Sequence, residues 1–316
     1  MIASSRDLEK RLAQLKREVP TRGFERHPVF IKSLAELPPE LCSPAVTALP
    51  LSPTGQTLIV FPPQIQRGHH YVPRQALFFT PTEVTHVLAS IWPGEPPQVT
   101  HLQGRGLLYL QVTLLLLYGF LEIVGQGPDS PVRLAVEFNT VAWDKLAAPV
   151  RRFVQAGQRE PVAPAAGVPV VPEAQSAAQA LPLKFSNGIR LHGLLPGETL
   201  EDLVFQPGVN ERVLFLFHRA VLANTLVLLT SHYVEVIREE LKVAQGWIVA
   251  YIPRQSIATI QCRPVAQWNE LIFQLDRESQ SAAYSLRLNL EATQAWKSIW
   301  ERHGGRWEDV PPGDPS

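Results

Sequence analysis

Apolar and polar residues alternate along many short segments of the chain, and the alternation is clearest in the segment 132–138. Val132, Leu134, Val136 and Phe138 occupy every second position there, so they share one face of an extended chain. Such alternation is typical of a strand that is buried on one side. In the first half of the chain, similar segments bounded by Pro, Gly, Asp or Thr predict strands at 57–61, 75–79, 84–89, 98–102, 107–117, 120–124 and 132–138.

The second half of the chain shows the same kind of pattern, and each half ends with a change of period. Its alternating or apolar segments predict strands at 212–217, 225–230, 234–238, 247–252, 257–261, 270–275 and 283–290. Apolar residues then recur at three- and four-residue spacing, which predicts one helix at about 140–155 and another at 291–303. Trp296, Ile299 and Trp300 share one face of the second helix, and we expect that face to pack in a core.

The two halves resemble each other when the sequence is shifted by 150 positions. Under this shift Phe79-Thr80 aligns with Leu229-Thr230, and Leu110-Gln111 aligns with Ile260-Gln261. Further matches in the same order are Val84 with Val234, Leu121 with Leu271, Phe138-Asn139 with Leu288-Asn289 and, after a drift of three residues, Ala142-Trp143 with Ala295-Trp296. An order that is kept over about 80 positions indicates that one domain occurs twice.

The apolar stretch Gly106–Gly125 contains no Lys or Arg over 20 residues, a length that fits a bilayer. Glu122 lies inside it, however, and a carboxylate within a membrane is costly. The shift of 150 aligns this stretch with 256–275, where Arg263 and Pro264 interrupt the apolar run. We therefore expect two buried strands joined by a turn, and no membrane span.

The composition of the chain changes between the two halves. The region 156–183 contains five prolines and many alanines without an apolar period, which is typical of an interdomain linker. The predicted regions are an N-terminal helix with a Pro-rich segment at 1–56, a first domain at 57–155, the linker at 156–183, a second domain at 184–305 and a disordered tail at 306–316.

Charge and cysteine content narrow the class of protein. Lys and Arg number 29, and Asp and Glu number 29, so the chain carries no net charge and we expect no nucleic acid partner. Cys42 and Cys262 are the two cysteines, which are too few for a disulfide framework. The first 19 residues are charged and lack the apolar core of a signal peptide. We therefore expect a cytoplasmic protein with reduced thiols.

Several short stretches in the second half are similar to the bacterial pleckstrin-homology-like (PH-like) family. They are Leu195-Pro196-Gly197-Glu198, Leu228-Leu229-Thr230, Val234–Ile237, Gly246-Trp247-Ile248 and Tyr251–Ile257. The resemblance covers about 190–303, and it extends to about 55–155 through the repeat. It implies a mainly β protein with α-helices, in which two small β-barrels or sandwiches are each closed by a C-terminal amphipathic helix.

PH-like domains share a shape and differ in their targets, which include lipid headgroups, peptides, partner proteins and further copies of themselves. The subset that binds phosphoinositides carries a basic pattern in the loop after the first strand. The second half departs from this pattern, since 217–225 holds only His218 and Arg219 as cationic side chains. The resemblance therefore does not imply headgroup binding by the second domain.

The corresponding loop of the first half is richer in basic residues. Arg67, His69, His70 and Arg74 lie within eight residues. Two guanidinium groups can clamp a phosphate or a carboxylate, and imidazoles add charge that depends on pH. The alternative is a solvated basic loop without a ligand. Neighbouring His side chains on an extended chain point to opposite sides, so we expect no metal there.

A second candidate group consists of Trp247, Tyr251 and Arg254, which combine two aromatic rings with a cation in one short segment. They are interpreted as an amphipathic edge that contacts a partner protein. The alternative is that they are ordinary strand and turn residues of the barrel.

The sequence contains none of the common catalytic or nucleotide-binding motifs, so we expect a protein that is not an enzyme and uses no metal or cofactor. The leading hypothesis is a tandem PH-like scaffold protein that recognises a protein or peptide by strand addition to a sheet edge. One alternative is a binder of anionic ligands or of a membrane surface through the basic loop. Another is an enzyme with an unrecognised site on a β-barrel. The sequence leaves the oligomeric state open, with a homo-oligomer among the alternatives.

Overall fold

The fold is that of a computed structural model of the chain. It describes residues 5–19, 27–47, 56–66, 70–157, 172–213, 217–241, 243–277 and 279–311. Strands predominate over helices, so the predicted class of a mainly β protein with α-helices is confirmed. No helix in this part of the chain is long and apolar enough to cross a membrane.

The chain forms two compact units, which divide it at other points than the predicted domains. The first unit comprises Met1–Gly104, Leu117–Gly119 and Val136–Ala156, and the second comprises Arg105–Leu116, Phe120–Ala135 and Gly157–Ser316. Parts of the predicted first domain therefore belong to the second unit. The reason is strand pairing, since a strand within 105–116 is hydrogen-bonded to a strand of the second half.

The first unit contains an antiparallel five-stranded sheet. Its elements are α1 (Ser5–Glu18), β1 (Val29–Ile31), α2 (Pro44–Thr47), β2 (Thr57–Phe61), β3 (Gln64–Gln66), β4 (His70–Val72), β5 (Gln75–Phe79), β6 (Glu83–Leu88), β7 (Gln98–Gln103) and α3 (Trp143–Ala156). The strand order is β1-β2-β5-β6-β7, and β3 pairs with β4. Phe79 on β5 meets Phe153 on α3 edge to face, with 6.3 Å between ring centroids, so α3 packs on this sheet.

The second unit contains two larger sheets. Its elements are β8 (Leu107–Leu115), most of β9 (Tyr118–Gly125) and of β10 (Val132–Phe138), α4 (Pro172–Gln179), α5 (Leu183–Leu191), β11 (Leu200–Gln206), β12 (Val209–Val213), β13 (Phe217–Leu222), β14 (Thr225–Thr230), β15 (Tyr233–Glu240), β16 (Val243–Pro253), β17 (Ile257–Val265), β18 (Trp268–Arg277), β19 (Gln280–Asn289), α6 (Leu290–Arg302) and β20 (Trp307–Asp309). One sheet has the order β10-β9-β8-β16-β15-β14-β11, the other has the order β19-β18-β17-β20, and β12 pairs with β13. Within the described residues each sheet ends in two different edge strands, and none closes into a barrel.

The core of the second unit joins β14, β15 and β16 to β17, β18, β19 and α6 through one cluster of buried side chains. Trp296 is fully buried, and Ile299 and Trp300 are nearly so, which confirms the apolar face predicted for this helix. Asn289 begins α6, because its side-chain oxygen accepts a hydrogen bond from the backbone N–H of Ala292 at 2.7 Å.

Equivalent elements of the two halves begin 150 residues apart. β8 begins at Leu107 and β17 at Ile257, and the same offset relates β5 to β14, β6 to β15 and β9 to β18. The turns that follow β8 and β17 agree as well, since Leu116 and Ala266 have positive φ angles of 51° and 52°. Residues other than glycine rarely adopt such angles. The two turns therefore share an uncommon local geometry.

The apolar stretch Gly106–Gly125 forms β8 and β9 with a turn between them, as predicted. Both strands are largely buried. Glu122 on β9 is also buried, and its carboxylate forms an ion pair with Arg133 on β10. This pairing makes a buried carboxylate tolerable within a protein sheet.

Two regions differ from the pattern that the sequence predicts. α4 lies inside the predicted linker, where alanine and glutamine favour a helix and Pro172 occupies its first position. The predicted disordered tail forms β20 at Trp307–Asp309, because the edge of β17 supplies hydrogen-bond partners for its backbone. Residues 158–171 of the linker and 312–316 of the tail lie outside the described residues.

Candidate functional site

The basic loop of the first half is only partly described. Arg67 and His69 lie outside the described residues, so the four predicted ligands cannot be brought together here. His70 begins β4 and is exposed. The Nε atom of Arg74 lies 2.8 Å from the Oε1 atom of Glu40, so this guanidinium already faces a carboxylate. An anion clamp in this loop stays a prediction.

The predicted partner edge at Trp247 and Tyr251 is not an edge. Both residues lie on β16, which pairs with β15 on one side and with β8 on the other. Tyr251 is 2% exposed, and its hydroxyl donates to the carbonyl oxygen of His192. The sequence pattern identified the strand correctly but carried no information about its second neighbour.

The third member of this group, Arg254, is not grouped with the two aromatic residues on one surface. Its Nη1 atom donates to Glu201 Oε2 at 2.7 Å and to the carbonyl oxygen of Thr230 at 2.9 Å. Trp247 instead lies against Phe185 and under the amine of Lys184, which is 5.1 Å from the ring centroid. These contacts favour structural roles for the three residues, and a binding role is not tested.

The short strand β20 marks a different site, which the sequence did not reveal. It lies parallel to β17, with Ile260 opposite Trp307 and Cys262 opposite Asp309. The N–H of Ile260 donates to the carbonyl oxygen of Arg306 at 3.1 Å. The carbonyl oxygen of Cys262 accepts from the N–H of Val310 at 2.9 Å. The outer edge of β17 therefore holds an extended segment mainly through backbone atoms.

The chain reaches this edge through two glycines after α6. Gly304 has a φ of +80°, a left-handed conformation that ends helices readily. A Cβ atom at Gly305 would lie 2.1 Å from the ring of Trp300, so only glycine fits there. The indole Nε1 of Trp300 also donates to the carbonyl oxygen of Arg306 at 3.0 Å. The end of α6 thus directs the next residues along β17.

Side chains add a smaller, charged contact between β20 and α6. Nζ of Lys297 lies 2.6 Å from Oδ2 of Asp309, and Nε1 of Trp307 donates to Oδ1 of Asp309 at 2.8 Å. The Lys297 amine also lies 5.7 Å from the Trp307 ring centroid. The hydrogen bond to Asp309 raises the pKa of Lys297, and the hydrogen bonds from Lys297 and Trp307 lower the pKa of Asp309. Because the pair is near the surface, solvent screens its attraction.

A cleft of about 400 Å³ lies beside this strand and is lined by Cys262, Lys297 and Asp309 among others. Burial raises the pKa of the Cys262 thiol above its ordinary value, so the thiol is neutral at neutral pH and is a poor nucleophile. Within the described ranges, no group of three or more His, Cys, Asp and Glu side chains could hold a metal ion. The arrangement is suited to binding an extended chain and is not suited to nucleophilic catalysis.

Comparison with known proteins identifies no relative. No model of a known protein family matches the chain, and no curated protein matches its sequence. The site must therefore be interpreted from its own geometry.

Proposed function

We propose that the protein is a non-enzymatic scaffold protein that binds an extended segment of a partner protein by strand addition to the outer edge of β17. The observation that supports this proposal is β20, a three-residue strand that occupies the edge through backbone hydrogen bonds. An edge that binds one extended segment has the donors and acceptors to bind another.

The partner segment we propose has an aromatic residue followed two positions later by a carboxylate. Side chains two positions apart lie on the same face of a strand, and Trp307 and Asp309 are related in this way. Lys297 provides the cation for the carboxylate, and Gln261 lies within 3.2 Å of Glu308 on the neighbouring position. Backbone bonds supply general affinity, and these side chains supply a preference for acidic segments.

The scaffold that we propose consists of two PH-like domains, each with a C-terminal helix over its strands. The equal order and the constant offset of the elements in the two halves support this interpretation. The packing of α6 into the core formed with β17, β18 and β19 supports the position of the second helix. Partner binding at β17 would place the binding site on the second of the two domains.

A partner must compete with β20, which is part of the same chain. A tethered segment has a high effective concentration, on the order of millimolar, so it outcompetes weak partners. We therefore expect the edge to bind free peptides poorly until β20 is weakened. The release variant defined for this purpose carries Trp307→Ala and Asp309→Lys, which remove the ring contact and place a like charge beside Lys297.

The test is fluorescence anisotropy with a labelled peptide that has the sequence of residues 304–311. We expect binding to the release variant to be at least about tenfold tighter than to the unmodified chain, because the internal competitor is weakened. Glu308→Gln on the same strand is the matched control, because its amide can still contact Gln261, and it should behave like the unmodified chain. A peptide with lysine at the position of Asp309 should bind weakly. Equal binding of both peptides to all three proteins would contradict the proposal.

A further inference from the structure

β8 and β17 are equivalent strands of the two halves, and so are β7 and the end of β16. β17 follows β8 at an offset of 150 residues, and the β16 residues 248–253 follow the β7 residues 98–103 at the same offset. Short helical turns at 104–106 and 254–256 join each pair of strands in the chain. Any contact made by β8 or β16 can therefore be mapped onto β17 or β7.

The outer side of β8 pairs with β16 in an antiparallel ladder. Five consecutive residue pairs form the ladder, among them Leu110 with Tyr251 and Val112 with Val249. Val112 and Val249 are nearly fully buried, so the contact has an apolar face as well as backbone hydrogen bonds. In this chain, one copy of the repeat thus contributes a strand to the other copy.

The equivalent sides of β17 and β7 lack such a ladder. β17 carries only the three residues of β20, in a parallel arrangement. β7 is an edge strand of the five-stranded sheet, and no strand in the described part of the chain pairs with its outer side. The repeat therefore leaves one acceptor edge and one donor edge at which the β8–β16 contact could form again.

We propose that β7 of a second copy of this chain pairs antiparallel with β17, displaces β20 and repeats the β8–β16 contact between molecules. This inference rests on the proposed function, because it names the partner that binds at the same edge. β20 then acts as an internal cover that limits self-association. Because the donor and acceptor edges differ, the contact is heterologous and produces either a closed ring or an open chain of molecules.

The register of the new ladder follows from the existing one. Adding 150 to the β8 residues and subtracting 150 from the β16 residues places His101 opposite Ile260 and Val99 opposite Cys262. Ile260 and Cys262 are the residues whose backbone groups bond to the segment around β20, so they already face the outer edge. Pro264 follows on β17 and has no N–H, so it ends the ladder.

The side chains on the two strands are compatible in this register. Gln98 would lie opposite Arg263, and Thr100 opposite Gln261, so no pair brings like charges together. Val99 is the apolar residue between these two polar residues on β7. It would lie beside Cys262 on the core-facing side of β17, as Val249 lies beside Val112.

Disulfide trapping tests the register directly. In the release variant with Cys42→Ser, we introduce Val99→Cys and oxidise the protein with diamide, which accepts the two electrons of disulfide formation. Directly opposite residues on neighbouring strands are close enough for a disulfide. We expect a link from the introduced thiol to Cys262 of another molecule, seen as dimers or larger species on a non-reducing gel and located by peptide mass spectrometry. Thr100→Cys, one residue out of register, is the matched control and should give at least about tenfold less product.

Three results would overturn the inference: no link, a link within one molecule, or equal linking by Val99→Cys and Thr100→Cys. Sedimentation velocity provides an independent measurement. Val99→Pro removes an outward N–H of an edge strand, so it should abolish association of the release variant while the 304–311 peptide still binds. Association that persists in Val99→Pro would also contradict the inference. Peptide binding without self-association would reject the second copy as partner and keep the proposed function, whereas loss of both would reject the two together.

Discussion

At the scale of single residues, His86 shows how burial controls a titratable group in the first unit. Its Nε2 atom lies 2.9 Å from the amide oxygen of Gln75, which accepts the ring hydrogen. Burial lowers the pKa of His86 to about 4, well below its ordinary value, because the charged imidazolium is poorly solvated there. The folded chain therefore keeps this histidine neutral at pH values where the unfolded chain protonates it.

We expect the free energy of unfolding to fall as the pH drops from about 6.5 towards 4. In that window the unfolded state binds a proton on His86 that the folded state does not bind, and a lowered folded pKa makes stability rise with pH. The contribution of this residue is about 1–3 kcal/mol, because the side chain keeps partial contact with solvent. His86→Gln should remove it, as measured by urea unfolding at about pH 7 and about pH 4.5.

The exposed His70 provides the control for this measurement, since His70→Gln should leave the pH dependence unchanged. Carboxylates contribute to acid unfolding in every variant, so the difference between each variant and the unmodified chain is the quantity to compare. An identical pH dependence for His86→Gln and the unmodified chain would show that burial does not depress the pKa of this histidine.

At the scale of elements, side-chain periodicity located most strands of the sheets. β2, β5, β10 and β14 are confirmed at the predicted bounds, and α6 begins and ends one residue before the predicted helix. The same patterns missed β3, β4, β11 and β20, of which all but β11 have only three residues. Three residues are too few to establish a period of two, and β20 forms because β17 provides the backbone partners. The candidate site was missed for the same reason, although Gly304-Gly305 marked the end of the helix.

The starts of the two C-terminal helical segments offer a prediction about equivalent residues. Asn139 accepts a hydrogen bond from the N–H of Val141 at 3.0 Å, and Asn289 accepts one from the N–H of Ala292 at 2.7 Å. We expect Asn139→Ala and Asn289→Ala each to lower the free energy of unfolding by about 1 kcal/mol, because a backbone donor loses its partner. Asp at either position should retain most of the stability. Chemical denaturation measures both effects, and an equal loss from Ala and Asp would show that capping is not the cause.

At the scale of the whole molecule, the seven-stranded sheet contains strands from both halves of the sequence. β8, β9 and β10 come from the first half, and β16, β15, β14 and β11 come from the second half. Gly246 is required where they meet, since a Cβ atom there would lie 2.2 Å from the carbonyl oxygen of Leu114. The two halves of the sequence therefore complete one sheet together, whatever their origin as repeats.

This sheet predicts that the chain can be cut in the linker and still assemble. We expect residues 1–157 and 172–316, produced together as separate chains, to co-purify through the β8–β16 ladder. Gly246→Ala should prevent co-purification, because the added Cβ atom meets the backbone of β8. Gly197→Ala is the matched control, since Gly197 also has a positive φ but a Cβ atom there meets nothing within 4 Å. Halves that purify separately would contradict the prediction.

The sequence by itself determined which segments form strands and helices, and it determined their recurrence after 150 residues, because side-chain periodicity reports which face of a segment is buried. Only the tertiary structure decided which strands are neighbours. Strand pairing uses backbone N–H and C=O groups that every residue carries, so the pattern of side chains does not encode the partner. The pairing of β8 with β16, the position of β20 on β17 and the outward edge of β7 therefore emerged only when the chain was folded.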